Sequence, residues 1–182
     1  MSKKLRKTFG DLKAPLTIAL MRLIETQSKT TVVNWTLNYA EQKVLPLFVK
    51  HCPNDERPAH AIAAAREWLG GKVKLPYVKN IILNECHAAA REQENNPVAQ
   101  AAARAIGQSA GSIHAVPHSL GCYFYAAAAF AYDRLGLAAS ETEFGAVADE
   151  VCAEYIAALR AVARENEPNP APCKWRFDKL NS

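Results

Sequence analysis

His114 and His118 are the residues of this chain whose types and spacing best suit a functional site. Their spacing of four would place both imidazoles on one face of a helix that continued through Pro117. Such a pair can begin a zinc site, but zinc in proteins needs three or four ligands. Two nearby residues, Glu85 and His87, are the first candidates for the missing ligands.

The segment around Glu85 and His87 does not supply a convincing third ligand. In a regular helix over residues 76–94, His87 projects away from the apolar stripe, whereas Glu85 projects along it and is expected to be buried. A buried carboxylate requires a partner, for which Arg66 and Arg104 are candidates. We therefore predict no metal and no cofactor. The histidines stay open to two interpretations: structural residues bonded within the bundle, or a site for a small ligand or partner.

Other chemistry has little support in the sequence. No nucleophile elbow, phosphate loop or dinucleotide fingerprint occurs, so no catalytic residue is assigned. The five cysteines are odd in number and widely spaced, which predicts reduced thiols in a cytoplasmic protein. A net charge of +4 without a basic stripe argues against nucleic acid as a partner. The longest apolar stretch, residues 120–132, is shorter than the roughly 20 residues of a membrane span.

The elements that must position these side chains are helices. The 182 residues include 33 alanines, which favours one all-α domain of six or seven helices spanning 1–182. Helices are predicted from about Pro15 and Thr30, from Pro58 and Pro76, from Pro97 toward Val116, and from Pro117 to Arg134. A last helix begins at the capping box Ser140–Glu143, and its apolar stripe extends to Val162.

The helix that begins after Asn96 is the most informative, because both of its sides look enclosed. Ala103, Gly107 and Gly111 recur every four residues, with Arg104 and Gln108 beside them. One interpretation is close packing in which each polar group finds a partner. The other is a polar pocket, where small residues leave room for histidine and arginine side chains. Either places this helix and the next at the centre of the bundle.

The two ends of the chain are expected to behave differently. Residues 1–14 are predicted to form a basic tail. Residues 167–182 contain prolines 168, 170 and 172 and are predicted to be extended, with Trp175 and Phe177 packed on the body. A peptide motif that a partner recognises is the alternative for these two aromatic residues.

Several segments, taken in order, resemble a known family. They are Leu-Pro-Leu-Phe at 45–48, Asp-Glu-Arg-Pro at 55–58, Ala-Ala-Ala-Arg-Glu-Trp at 63–68, His-Ala-Ala-Ala-Arg at 87–91, and the run from Ala101 through Gly107, His114, His118, Gly121 and Tyr125. This arrangement resembles the Imm-five-like immunity proteins of bacterial polymorphic toxin systems. The chain departs from the expected pattern at Gln108, where we expect histidine, and at Glu85, where we expect a small residue.

The resemblance implies an all-helical cytoplasmic protein, not an enzyme, that neutralises a cognate toxin by occluding it. The alternative is a helical-bundle enzyme that uses His114 and His118 with a metal or small ligand. Membrane is not expected as a partner, and homo-oligomer formation stays open. If the central face is a site, its expected members are the polar residues within the matched segments: Arg57, Arg66, His87, Arg91, Arg104, His114 and His118. In the alternative, these side chains hold the bundle together.

Overall fold

A computed structural model of the protein describes residues 5–175, and helices account for most of them. The α-helices are α1 (Pro15–Glu25), α2 (Lys29–Tyr39), α3 (Leu45–His51), α4 (Arg57–Leu69), α5 (Leu75–Ile81), α6 (His87–Glu92), α7 (Pro97–Gly111), α8 (His118–Leu135) and α9 (Glu141–Arg160). Two π-helical turns, Ala40–Val44 and Ile82–Cys86, join α2 to α3 and α5 to α6. Within the described residues there are thus seven continuous helices and no strand, which confirms the all-α prediction.

The helix starts agree with the capping signals of the sequence. Ser140 accepts a hydrogen bond from the Glu143 backbone N–H, and the Glu143 carboxylate accepts one from the Ser140 N–H, so the predicted capping box forms. The Asn96 side chain accepts from the Ala99 N–H at the start of α7, and Pro97 occupies the first turn. These side chains satisfy backbone donors that a helix start leaves unpaired.

Two predicted helix ends are wrong. The helix after Asn96 ends at Gly111 rather than near Val116, and a short turn leads to His118, where α8 begins. The final helix ends at Arg160, so Val162 lies beyond it and is exposed instead of continuing the buried stripe. Pro117 accounts for the break between α7 and α8, because the residue before a proline is disfavoured in α-helical geometry, but it does not set the end of α7 at Gly111.

Helices α7 and α8 form the centre of the bundle, as predicted. Eleven of the fifteen residues of α7 are buried, and eight of these are alanine or glycine. Small side chains let neighbouring helices approach closely, and α7 contacts α2, α3, α4, α6 and α8. The polar residues of α7 are therefore held on a crowded, rigid element.

Both ends of the described chain contact the body. Phe9 is buried in the core, where its ring stacks on Phe144 with a centroid distance of 4.6 Å. At the other end, the Trp175 indole N–H donates to the Met21 carbonyl oxygen over 3.1 Å. Phe177, predicted to pack with Trp175, lies outside the described residues.

The five cysteines are all free, and Cys86, Cys122 and Cys152 are buried. Burial raises the pKa of Cys86 to about 12, so its thiol stays protonated, and it donates to the Ala103 carbonyl oxygen. Among the described helices, none has the length and apolarity needed to cross a membrane.

Candidate functional site

Three histidines from separate parts of the sequence line one groove of about 620 Å³. His87 comes from the start of α6, His114 from the turn after α7, and His118 from the start of α8. The groove walls come from α5 and the second π turn, and Gly107, Gln108 and Gly111 of α7 form its floor. We call this feature the histidine groove. Its floor has little side-chain bulk, which is why the imidazoles can lie over it.

The His87 ring lies directly over Gly107. A Cβ atom added at Gly107 would lie 2.9 Å from His87 Nδ1 and 3.1 Å from Nε2, and closer still to Cε1. Real Cβ atoms almost never approach other atoms so closely, so the position of the ring depends on glycine. His87 Nδ1 is buried and has no hydrogen-bond partner within residues 5–175. Such unpaired buried nitrogens are uncommon and mark a place where a ligand or water is expected.

His118 and His114 complete the cluster at the other end of the groove. His118 Nδ1 lies 2.7 Å from the Gln108 amide oxygen, so this nitrogen donates, and Nε2 is left as the acceptor of a neutral ring. The His114 and His118 rings are 5.0 Å apart between centroids. Gln108 is itself confined by Gly121, where a Cβ would lie 2.5 Å from its amide oxygen. The glutamine at the position where the family pattern led us to expect histidine thus orients a neighbouring histidine.

The predicted orientations of Glu85 and His87 are wrong, and the second π turn is the reason. A π turn inserts one extra residue, which rotates the downstream residues by about 100° relative to a regular α-helix. Cys86 therefore takes the buried position that a regular helix would give to Glu85. The Glu85 side chain is 34% exposed, and His87 turns into the groove. A charged residue on an otherwise apolar stripe was the sequence signal of this shift.

The expected partners of Glu85 are also wrong. Its carboxylate lies 2.6 Å from His60 Nδ1, not beside Arg66 or Arg104. Arg66 instead pairs with Glu41 and donates to Asn38 on the adjoining helix. Arg66 is thus held within the bundle rather than presented in the histidine groove.

The other arginines of the predicted site fall into two places. Arg57 forms ion pairs with Asp55 and Glu92, and these carboxylates hold its pKa above the ordinary value. Arg91 and Arg104 line a separate pocket of about 490 Å³ farther along the seam between α6 and α7. The structure therefore brings His87, His114 and His118 together, and leaves the four arginines outside the groove.

The three imidazoles of the histidine groove are uncharged near pH 7, although the groove lining also includes the cation Lys79. Burial lowers the pKa of His87, and the nearby charges of Arg104 and Arg91 and the His118 ring lower it further. Burial also lowers the pKa of His118, and burial together with His118, Lys79 and Lys29 lowers that of His114. All three imidazoles are therefore uncharged at neutral pH and offer both a donor and an acceptor nitrogen.

We expect the protein to lose stability as the pH falls below the ordinary histidine value of 6.5. Between 6.5 and the lower folded pKa values, the unfolded chain binds more protons than the folded chain, so acidification favours unfolding. The Tm should fall by several degrees between pH 7 and pH 5, and the fall should be smaller in His87→Asn. A Tm that stays constant or rises over this interval in the wild-type protein would contradict the lowered values.

The groove residues do not form a recognisable metal centre. Within residues 5–175, no group of three or more His, Cys, Asp or Glu side chains is placed to hold a metal ion. No aspartate or glutamate of the described chain lines the groove. Its polar lining consists of the three imidazoles, three side-chain amides and one cation: Asn80, Asn84, Gln108 and Lys79.

The fold and the groove define a small all-helical bundle with a histidine-lined cavity, and comparison with protein families identifies its family. The family described as "Imm-5 like putative immunity protein" matches residues 22–158, well over half of the chain. The chain belongs to this family, which confirms the resemblance seen in the sequence. Searches of the curated proteins and of the solved structures found no match.

Proposed function

We propose that this protein is an immunity protein that binds a cognate bacterial toxin through the histidine groove and neutralises it by occlusion, without catalysis. Family membership supports the general role. We choose this surface because His87, His114 and His118 converge there over the glycines of α7. No other cavity of the described chain is lined by as many of the site residues expected from the sequence.

The groove suits a protein partner because apolar walls surround its polar floor. Leu75, Pro76 and Ile82 line it, and Leu83 at its rim is 57% exposed. Exposed aliphatic side chains beside a few convergent polar groups are typical of the energetic centre of an interface. We therefore expect a toxin segment that places an apolar side chain against Leu83 and a hydrogen-bonding side chain against the imidazoles.

The enzyme alternative draws less support from the same geometry. It requires a carboxylate beside His114 and His118, and Glu85, the sequence candidate, pairs with His60 instead. The groove lining within the described residues contains no acid that could act as a base or ligand. Neutral imidazoles beside side-chain amides suit recognition better than hydrolysis. A cytoplasmic location fits the five free thiols, since reducing compartments keep cysteines unpaired.

The proposal is tested by replacing the histidines singly. His114→Ala and His118→Ala should each weaken toxin binding by about 1–3 kcal/mol, the usual cost of leaving a partner's polar group unpaired. The Tm should change by no more than a few degrees, since His114 is exposed and His118 only half-buried. Calorimetric titration against the toxin captured from producing cells, or encoded beside this gene, measures the affinity.

His60→Ala is the matched control, because His60 lies outside the groove and contacts only Glu85 among the ion pairs described. It should bind the toxin as the wild-type protein does. If both groove variants lose stability strongly while their toxin affinity is unchanged, the histidines are structural and the groove is not the binding surface.

A further inference from the structure

A second pocket lies beyond the histidine groove on the same seam, and its lining is strongly basic. It is enclosed by the segment Leu5–Lys7, the end of α6 and the first half of α7, with Tyr132 of α8 at its base. Its four cations are Arg6, Lys7, Arg91 and Arg104, and Glu94 is the one carboxylate of the described lining. We call this feature the arginine pocket.

The positive charges of this pocket are poorly neutralised by the described chain. Arg104 forms no ion pair within residues 5–175, and its Nε is buried without a hydrogen-bond partner. Among the described residues, the Arg91 side chain donates only to the Leu83 carbonyl oxygen, over a long 3.4 Å. Of the four cations, Arg6 is the one that forms an ion pair within the described chain, to Glu141. A partly buried guanidinium without a counter-charge is costly unless a ligand supplies one.

The geometry of these groups points to a compact, doubly charged ligand. Arg104 projects from the rigid central helix, and Arg91 projects from the neighbouring α6 into the same space. Guanidinium groups present fixed pairs of donors that match the oxygens of a phosphate, and Lys7 adds a mobile point charge. The pocket volume of about 490 Å³ exceeds that of a phosphate alone and lies in the range of small-molecule sites.

We infer that the arginine pocket binds the phosphate group of a small molecule, with Arg104 and Arg91 as its principal donors and Lys7 closing over it. This site is distinct from the histidine groove, and the inference does not depend on toxin binding. A single dianion would supply the counter-charge that the described chain withholds from Arg104. The apolar remainder of the small molecule would lie against Leu5, Pro97 and Tyr132.

The two cavities are electrostatically linked through His87. The charges of Arg104 and Arg91 both lower the pKa of His87, whose ring lies in the neighbouring groove. A phosphate held between those arginines would offset their charges, so the pKa of His87 should rise when the pocket is occupied. This response is a readout that a merely structural arginine would not produce.

Titration of the full-length protein with inorganic phosphate tests the inference, at a constant ionic strength maintained with sodium chloride. We expect saturable binding with one phosphate per chain, together with an upward shift of the His87 titration monitored by NMR. Arg104→Gln should weaken phosphate binding at least tenfold and abolish the His87 response. Arg91→Gln, at an exposed position, should also weaken it and serves as a second variant should Arg104→Gln fold poorly.

Arg160→Gln is the matched control, since it removes the same charge from an exposed position in the last turn of α9. It should bind phosphate as the wild-type protein does. Equal weakening by Arg160→Gln, or no saturable binding by the wild-type protein, would overturn the inference. The inference would also be overturned if the wild-type protein bound no phosphate and Arg104→Gln lost toxin affinity. That result would assign the pocket to an acidic segment of the toxin.

Discussion

Gly107→Ala is expected to lower toxin affinity at least tenfold while leaving the protein folded. The new methyl group would lie within about 3 Å of both His87 ring nitrogens, so the imidazole must leave its place over α7. Displacement of His87 would disrupt the groove, although the substitution adds only one methyl group and removes no polar atom. The gain in helix propensity, up to about 1 kcal/mol, offsets part of the steric cost, so the Tm should change by only several degrees.

The measurement is toxin affinity by calorimetry, together with the His87 resonances by NMR to show that the ring has moved. Gly145→Ala is the control, because a Cβ at Gly145 meets nothing within 4 Å in α9. It should stabilise the protein by about 0.5–1 kcal/mol and leave binding unchanged. Wild-type affinity in a Gly107→Ala protein whose His87 resonances have moved would exclude His87 from the interface.

Tyr155→Ala is expected to cost about 3–5 kcal/mol of unfolding free energy, the largest stability effect that we predict. Tyr155 is fully buried, and its ring packs against Trp35 at a centroid distance of 4.1 Å and an interplanar angle of 35°. Its hydroxyl donates to the Ser119 carbonyl oxygen over 2.9 Å and lies 2.6 Å from the Thr36 hydroxyl. One side chain therefore joins α2, the start of α8 and α9.

Urea unfolding of three variants separates the contributions of the ring and the hydroxyl. Tyr155→Phe keeps the ring and should cost about 1–3 kcal/mol, because the Ser119 carbonyl loses its donor. Tyr77→Ala, at a position 48% exposed, should be nearly neutral. If Tyr155→Ala were no more damaging than Tyr77→Ala, the described packing between α2 and α9 would be wrong.

The parts of the fold that depend on local rules could be predicted from the sequence. The stripe Val33, Leu37, Ala40, Val44 and Phe48 is fully buried, because its spacing stays close to the helical period despite the π turn at Ala40–Val44. The start of α9 at Ser140 depends only on residues three positions apart. The end of α7 at Gly111 could not be placed, because small residues continue past it in the sequence and only tertiary packing decides where the helix stops.

The site is harder to predict than the fold, because the directions of its side chains depend on where one helix ends and where a π turn shifts another. The sequence pairs His114 with His118 only through a continuous helix, and they lie together across a turn instead. A regular helix gives His87 the wrong direction, because a charged residue on an apolar stripe signals a disturbance without showing that one extra residue is inserted there. From the sequence, the arginines are expected to join the histidines because of their charge and their position in the matched segments. Arg57 and Arg66 instead pair with carboxylates on other segments, which the local sequence does not reveal.

The second π turn also has a consequence for how this family's sequences can change. Helices α5 and α6 are out of phase by one residue, and the turn between them holds that offset. Loss of a single residue there would restore one regular helix and rotate His87 and Arg91 together by about 100° around its axis. Glu85 and Cys86 would also exchange their surroundings. A single-codon deletion at this turn would therefore displace lining residues of both cavities at once, while the lining residues of α7 and α8 stayed unchanged.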